Sequence, residues 1–220
     1  MTTMTLIRRI WHDCPEGWLR RPYQNLIDDF IKSDKTESDL QRLLQGKTLD
    51  IGAGFGYLVS DCLDRGYDIW GVDAAYSDDE LMAKIKEEMK DKNPNLLERL
   101  VAGDVSILPF NDNSFDFIIN LCGPLTWTTS QEEFDCLLLE QWRVIREGGS
   151  IYISQILDSD NGLFIDNAAQ DRNYFLAPFF NDKQAKIDIL ITGSKKFYLS
   201  LDDPDGFWTP SGFALITKLA

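Results

Sequence analysis

Three glycines at alternate positions, Gly52, Gly54 and Gly56, follow directly on the apolar run TLDI and lead into the helix-forming stretch YLVSDCLD. The chain must therefore turn from a strand into a helix with almost no side-chain bulk at the corner. Glycine serves such a corner in two ways: it accepts the positive φ that a tight turn requires, and it lacks the Cβ that would hold a ligand off the backbone. A purely architectural reading is that the glycines only let strand and helix pack closely, and a lone motif of this kind is a weak signal. The argument then rests on what surrounds and follows the turn.

The neighbouring residues separate the ligands that such turns bind. A dinucleotide fingerprint, G-x-G-x-x-G, places a pyrophosphate on the helix N-terminus. Started at Gly52, that pattern puts Tyr57 where its third glycine belongs. Asp50, two residues ahead of Gly52, sets a carboxylate beside the place a pyrophosphate would need positive charge; an acid there suits a cation. Downstream, DIWGVDAAYS reads as a second buried strand ending in Asp73, about 20 residues past the first glycine, where an acid can accept both hydroxyls of a ribose. Asp104 follows a third strand in RLVAGDVSILPFNDNSFDFIINLCG, FDFIINL is a fourth, and EFDCLLLEQWRVIREGGSIYIS is a helix, a Gly-Gly stop and a fifth strand.

This ordered set, over residues 46–157, resembles the class I S-adenosylmethionine-dependent methyltransferases. Their first motif, acid-x-Gly-x-Gly-x-Gly, is matched at Asp50, Gly52, Gly54 and Gly56. GDVSILPFNDNSFD is similar to the third motif of the small-molecule branch, which includes quinone-ring methyltransferases. The resemblance implies S-adenosylmethionine as cofactor. Its methionyl end would lie at Asp50, Gly52, Ala53 and Gly54, and its ribose at Asp73 and Ala74. Its adenine would lie at Asp104 and the Val105 amide, with backbone near Asn120 and Leu121 lining the cleft. It also implies a Rossmann-like α/β fold with seven mostly parallel strands, helices on both faces, an antiparallel C-terminal hairpin and an N-terminal helical cap.

Residues 1–46 read as that cap and 47–220 as the methyltransferase domain. WLRRPYQNLIDDFIKS places Leu19, Tyr23, Leu26, Ile27 and Phe30 near one helical face, and a second helix ends at Gly46. LMAKIKEEMKDK, entered through the acidic SDDE, is a solvated helix with a Leu81, Ile85 and Met89 stripe. In the tail, KIDILITG, KKFYLSL and FALITKLA all read as strands. KKFYLSL and FALITKLA are the expected hairpin, which leaves KIDILITG as an additional strand.

Methyl transfer from a sulfonium depends mainly on alignment, so no universal catalytic residue is implied; a base is needed only where the acceptor must lose a proton. His12, the sole histidine, is a candidate base, with an ordinary surface histidine as the alternative. Tyr23 is a second candidate, and Asp13 and Glu16 are weaker ones. Trp11 and Trp18 could wall a flat substrate, or belong to a core. NLCGPLTW departs from the acid-or-Asn, Pro-Pro, aromatic run of amino-directed nucleic-acid methyltransferases at Cys122 and Gly123.

The net charge is −14, with residues 1–32 at +1 and the remainder at −15. Such a field repels phosphate backbones and anionic lipid, so neither nucleic acid nor membrane is expected as partner. Arg8, Arg9, Arg20 and Arg21 are concentrated in the cap, where a pair could grip an anionic acceptor. Four scattered cysteines and one histidine give no metal-ligand pattern, and no metal is expected. Reduced thiols, and the lack of a bilayer-spanning apolar run or of a signal-peptide pattern, suggest a cytoplasmic protein. The leading expectation is a methyltransferase acting on a small molecule. The alternatives are a cofactor-binding regulatory or assembly protein without methyl transfer, and a nicotinamide oxidoreductase, which Asp50 and Tyr57 disfavour.

Overall fold

The computed structural model describes residues 22–31, 35–121, 123–127, 131–157, 185–197 and 207–219. Seven strands, β1 (Thr48–Ile51), β2 (Ile69–Asp73), β3 (Leu100–Ala102), β4 (Phe115–Leu121), β5 (Ile145–Leu157), β6 (Ala185–Phe197) and β7 (Phe207–Lys218), form one sheet in the order β3-β2-β1-β4-β5-β7-β6. The first five run parallel, and β7 is antiparallel to both β5 and β6. Both the mostly parallel sheet and its antiparallel C-terminal hairpin agree with expectation.

Central strands in such a sheet are buried on both faces and so read as continuous apolar runs. All four residues of β1 are buried, and β4 is buried at every position but Asp116. One face carries α1 (Tyr23–Ile31), α2 (Glu37–Leu43), α3 (Tyr57–Asp64) and α4 (Asp79–Glu88); the other carries α5 (Gln131–Val144). Tyr23, Leu26, Ile27 and Phe30 of α1 join Leu58, Val59 and Cys62 of α3 in one apolar cluster. The expected helical stripe is therefore real from Tyr23 onward, and it covers a sheet face. Leu19 lies outside the described residues. Thr36 caps α2 in a reciprocal box with Asp39, and the Asp78 carboxylate accepts from the Glu80 and Leu81 amides to start α4.

Two expectations about the strands are corrected. KIDILITG is not additional: it is the hairpin partner of FALITKLA, with Lys186 opposite Thr217 and Leu190 opposite Phe213. KKF continues the same strand past a register shift between Ile191 and Ser194 and pairs with Phe207–Thr209. The GSK that reads as a turn is absorbed by that irregularity. Likewise α5 ends at Val144, ahead of Gly148 and Gly149, which lie inside β5. Gly148 takes φ 75° near the shift that separates the Phe115 and Phe117 pairings.

Candidate functional site

Strand order reverses between β1 and β4, because the chain crosses from β3 on one side of β1 to β4 on the other. Open α/β sheets bind ligands at the C-terminal ends of the strands flanking such a point. The glycine turn leaves β1 there, and Asn120 and Leu121 end β4 beside it.

The turn's conformation explains its composition. Gly52, Gly54 and Gly56 have φ of 70°, 58° and 82°, in the left-handed region that only glycine enters cheaply. A Cβ on Gly52 would come within 2.8 Å of the Pro124 ring, whereas one on Gly56 would press on Leu96 and Leu100. Gly52 faces the crevice and Gly56 packs the start of α3. Tyr57, at the position of a dinucleotide motif's third glycine, donates its hydroxyl to Glu88 at 2.5 Å and so docks α3 on α4.

Asp73 ends β2 and ties the second glycine in place. Its Oδ2 accepts from the Gly54 amide at 3.0 Å, and its Oδ1 from the Ala75 amide at 2.9 Å. The buried Tyr76 hydroxyl donates to the Gly54 carbonyl at 2.9 Å, so both polar atoms of Gly54 are held from the turn after β2. Nothing in the sequence marks Tyr76 for this role: a tyrosine following a strand carries no sign of reaching 22 residues back. Ala74 begins the short 3-10 turn that Asp73 caps.

Asp50 lies inside the sheet, 2% exposed, on the face covered by α3. Burial, and next the Asp50 charge, push the Cys62 thiol far above its ordinary pKa. A negative potential beneath the glycine turn suits a cation and opposes a pyrophosphate. Ala53 is buried and donates its amide to Val72 O at 3.2 Å.

Asp104 sits on an exposed turn after β3, where its Oδ1 accepts from the Ser106 amide and hydroxyl at 2.8 and 2.7 Å. Val105 is half-buried against the α5-side core, and Ile107 beside it is 76% exposed. Asn120 is fully buried, and neither of its amide atoms has a hydrogen-bond partner among the described residues. It lies against Gly123, where a Cβ would meet the Asn120 Oδ1 and come within 2.7 Å of the Ile51 carbonyl. Leu121 is buried on the α3 side.

Asp50, the glycine turn, Asp73, Ala74, Asp104, Val105, Asn120 and Leu121 therefore all stand at or just below one edge of the sheet. Tyr23 does not. Its ring stacks on Tyr67, which precedes β2, and lies under the Arg65 guanidinium, 4.4 Å from its centroid, at the opposite edge. Burial drives its hydroxyl well above the ordinary tyrosine pKa, which makes it a poor base. His12, Trp11, Trp18 and the four cap arginines lie outside the described residues, as does Cys122. Among the described residues no group of histidine, cysteine and carboxylate side chains could hold a metal ion.

The residues present fit S-adenosylmethionine. A glycine cradle that a Cβ would fill, an acid beneath it, an acid at the end of β2 and an unpartnered buried amide meet that molecule's needs better than a pyrophosphate's. Residues 49–153 match the family model described as a methyltransferase domain. No curated protein is similar enough in sequence to count as a match. Among solved structures, magnesium protoporphyrin IX methyltransferase from Synechocystis PCC 6803, with bound S-adenosylmethionine, superposes with a TM-score of 0.60 at 14% identity, over 98% of this chain and 97% of that one. The 1,6-didemethyltoxoflavin N1-methyltransferase from Burkholderia thailandensis gives a TM-score of 0.54 at 19% identity, over 96% of this chain and 82% of that one. An S-adenosylmethionine-dependent methyltransferase from Methanosarcina mazei gives 0.57 at 20% identity, over 82% and 97% respectively. The fold, the glycine turn and the family match converge: residues 49–153 match a methyltransferase domain, set in a fold shared with S-adenosylmethionine-dependent methyltransferases.

Proposed function

We propose that the protein transfers a methyl group from S-adenosylmethionine to a small-molecule acceptor, with the cofactor seated on the Gly52–Gly56 turn between β1 and β4. The observation that carries this reading is the preset glycine turn, its Gly54 peptide gripped on both sides by Asp73 and Tyr76. Two similar folds support a small acceptor, since they are a magnesium protoporphyrin IX methyltransferase and a 1,6-didemethyltoxoflavin N1-methyltransferase. When bound, S-adenosylmethionine supplies an electrophilic methyl group on a positively charged sulfur.

The chain's own residues then bind and orient. Asp50 places negative charge beneath the turn, where the methionyl ammonium would lie, and the Gly52, Ala53 and Gly54 backbone surrounds that end. Asp73 offers its carboxylate to the ribose hydroxyls beside Ala74. Asp104 accepts from the adenine amino group while the Val105 amide meets the ring. Backbone at Asn120 and Leu121 closes the crevice floor. Orientation of this kind is worth up to about 7 to 11 kcal/mol when the reacting atoms are well aligned.

Acceptor chemistry falls to the N-terminal region. Residues 1–46 serve as a cap, with α1 and α2 packed on the α3 side of the sheet. His12 is the base where a proton must leave, and the arginines at positions 8, 9, 20 and 21 favour an anionic acceptor. Tyr23, at the far edge, is withdrawn from that role by its position. The acidic body disfavours nucleic acid. No helix among the described residues is long and apolar enough to cross a membrane, and the cytoplasm suits the free Cys62 and Cys136.

Incubating the protein with methyl-labelled S-adenosylmethionine and a panel of phenolic, carboxylic and heteroaromatic acids tests the reading. Label transferred to a small acid supports it. Transfer confined to protein or nucleic acid would overturn it.

A further inference from the structure

The turn that would read the adenine has two anchors, and only one belongs to the sheet. At its start the Gly103 amide donates to the Asp73 carbonyl at 3.3 Å. A Cβ on Gly103 would come within 2.8 Å of Pro109, so the two limbs of the turn are in close register. From Asp104 to Ile107 the turn closes on itself, with Ile107 N–H donating to the Asp104 carbonyl at 3.0 Å and the Asp104 carboxylate taken up by Ser106. At its end the turn is seized by two side chains of α5. Glu140 Oε2 accepts from the Leu108 amide at 2.9 Å. Arg143 donates to the Leu108 carbonyl at 3.0 Å, the Phe110 carbonyl at 2.8 Å and the Asp112 carboxylate at 2.8 Å. Two further bonds, at 3.0 and 2.7 Å, join Arg143 to Glu140 and hold the pair as one planar fork.

We infer that the Glu140–Arg143 pair is a positioning device for adenine recognition: by fixing Leu108 it sets where Asp104 and Val105 stand, and thereby sets selectivity for adenine over other purines. This rests on the proposed cofactor site. The pair touches no ligand itself. Arginine suits the task because its five donors lie in one rigid plane, so a single side chain can serve three separate acceptors on the loop. Lysine carries the same charge and cannot. Consistent with a committed ion pair, Arg143 holds the Glu140 carboxyl below the usual glutamate range.

The experiment compares two probes, S-adenosylhomocysteine and S-inosylhomocysteine, which differ at the purine 6-position where an amino donor is replaced by a carbonyl. The intact protein should prefer the adenosyl probe by about tenfold or more, the scale of a charged hydrogen bond lost. Arg143→Ala and Arg143→Lys should each reduce that preference to about threefold or less, while urea midpoints record any general loss of stability. A merely structural role would weaken both probes by the same factor and leave the ratio untouched, and that result overturns the inference. Failure of the intact protein to bind either probe would instead sink the cofactor site, and binding of both without preference would remove the adenine role of Asp104 and the inference with it.

Discussion

The two ends of the sheet are built on opposite principles. At the N-terminal edge of the parallel strands, several charged side chains meet an opposite charge or an aromatic ring. Arg99 pairs with Asp68 at 2.7 Å and lies 4.7 Å from the Trp70 ring centroid. Lys47 sits 4.9 Å from that of Phe115 and gives its amide to Asp116 at 2.6 Å, and Asp116 also meets Arg146. The Lys218 ammonium collects the Trp142 and Ile145 carbonyls at the end of α5, at 3.1 and 2.9 Å. At the C-terminal edge three glycines are held at positive φ, the Asn120 amide is buried without a partner among the described residues, and Ile107 stands out in solvent. A buried amide without a partner costs stability, and it persists only where surrounding structure holds it in place. On the proposed function, the cofactor is read at one edge of the sheet while the charge pairs of the other hold the fold.

Substitutions can break or sharpen that division. The largest effect is expected at Gly52→Val, where a branched side chain must adopt φ 70° against Pro124. Affinity for S-adenosylhomocysteine should fall by more than about 100-fold, since strain of roughly 1 to 3 kcal/mol adds to occlusion of the cradle. Calorimetric binding within tenfold of the parent would show that the turn does not touch the ligand. Next, Asp116→Ala should lower unfolding free energy by about 2 kcal/mol, because it strips an acceptor from the Lys47 amide and a partner from Arg146. Urea titration reads that loss, and the dissociation constant should stay within about twofold. A matching loss of affinity would mean that the two edges are not separable.

Tyr76→Phe sharpens the comparison from the other side. It removes one hydroxyl from the Gly54 carbonyl and leaves the ring in place, at a cost of about 1 kcal/mol in binding, or roughly fivefold. The thermal midpoint should fall by only about 2 to 4 °C for the lost buried bond; such a shift with unchanged affinity would assign Tyr76 to the scaffold. The smallest effect is a pH dependence. The folded-state pKa of Glu140 is depressed, chiefly by its hydrogen bond to Arg143, so its contribution is fully present above the ordinary glutamate value of about 4.3 and is lost as pH falls through the lower folded value. The parent should therefore lose more stability than Glu140→Gln as the pH is lowered from about 5 to 3. Parallel stability curves would show that the pair holds no net advantage for the charged form.

What could be read from the sequence divides along a physical line. The glycine turn, the strand ending at Asp73 and the FDFIINL strand depend on short-range signals, namely positive-φ demand and continuous apolar runs, and each lies where expected. The hairpin pairing differs from expectation because Gly193, Ser194 and Lys195 carry turn chemistry, yet β6 runs on through them past a register shift. Tyr76, Glu140 and Arg143 were illegible for another reason. Their roles rest on side chains reaching backbone 22 to 35 residues away, and no local pattern encodes such a choice.

The most direct test of the recognition edge is calorimetric titration of the intact protein and of Asp73→Ala with S-adenosylhomocysteine and, separately, with NAD. Saturable binding of the nucleoside, weakened by about 1 to 3 kcal/mol when the carboxylate is removed, with no heat from NAD, is the predicted result. Tight binding of NAD with indifference to S-adenosylhomocysteine would contradict it.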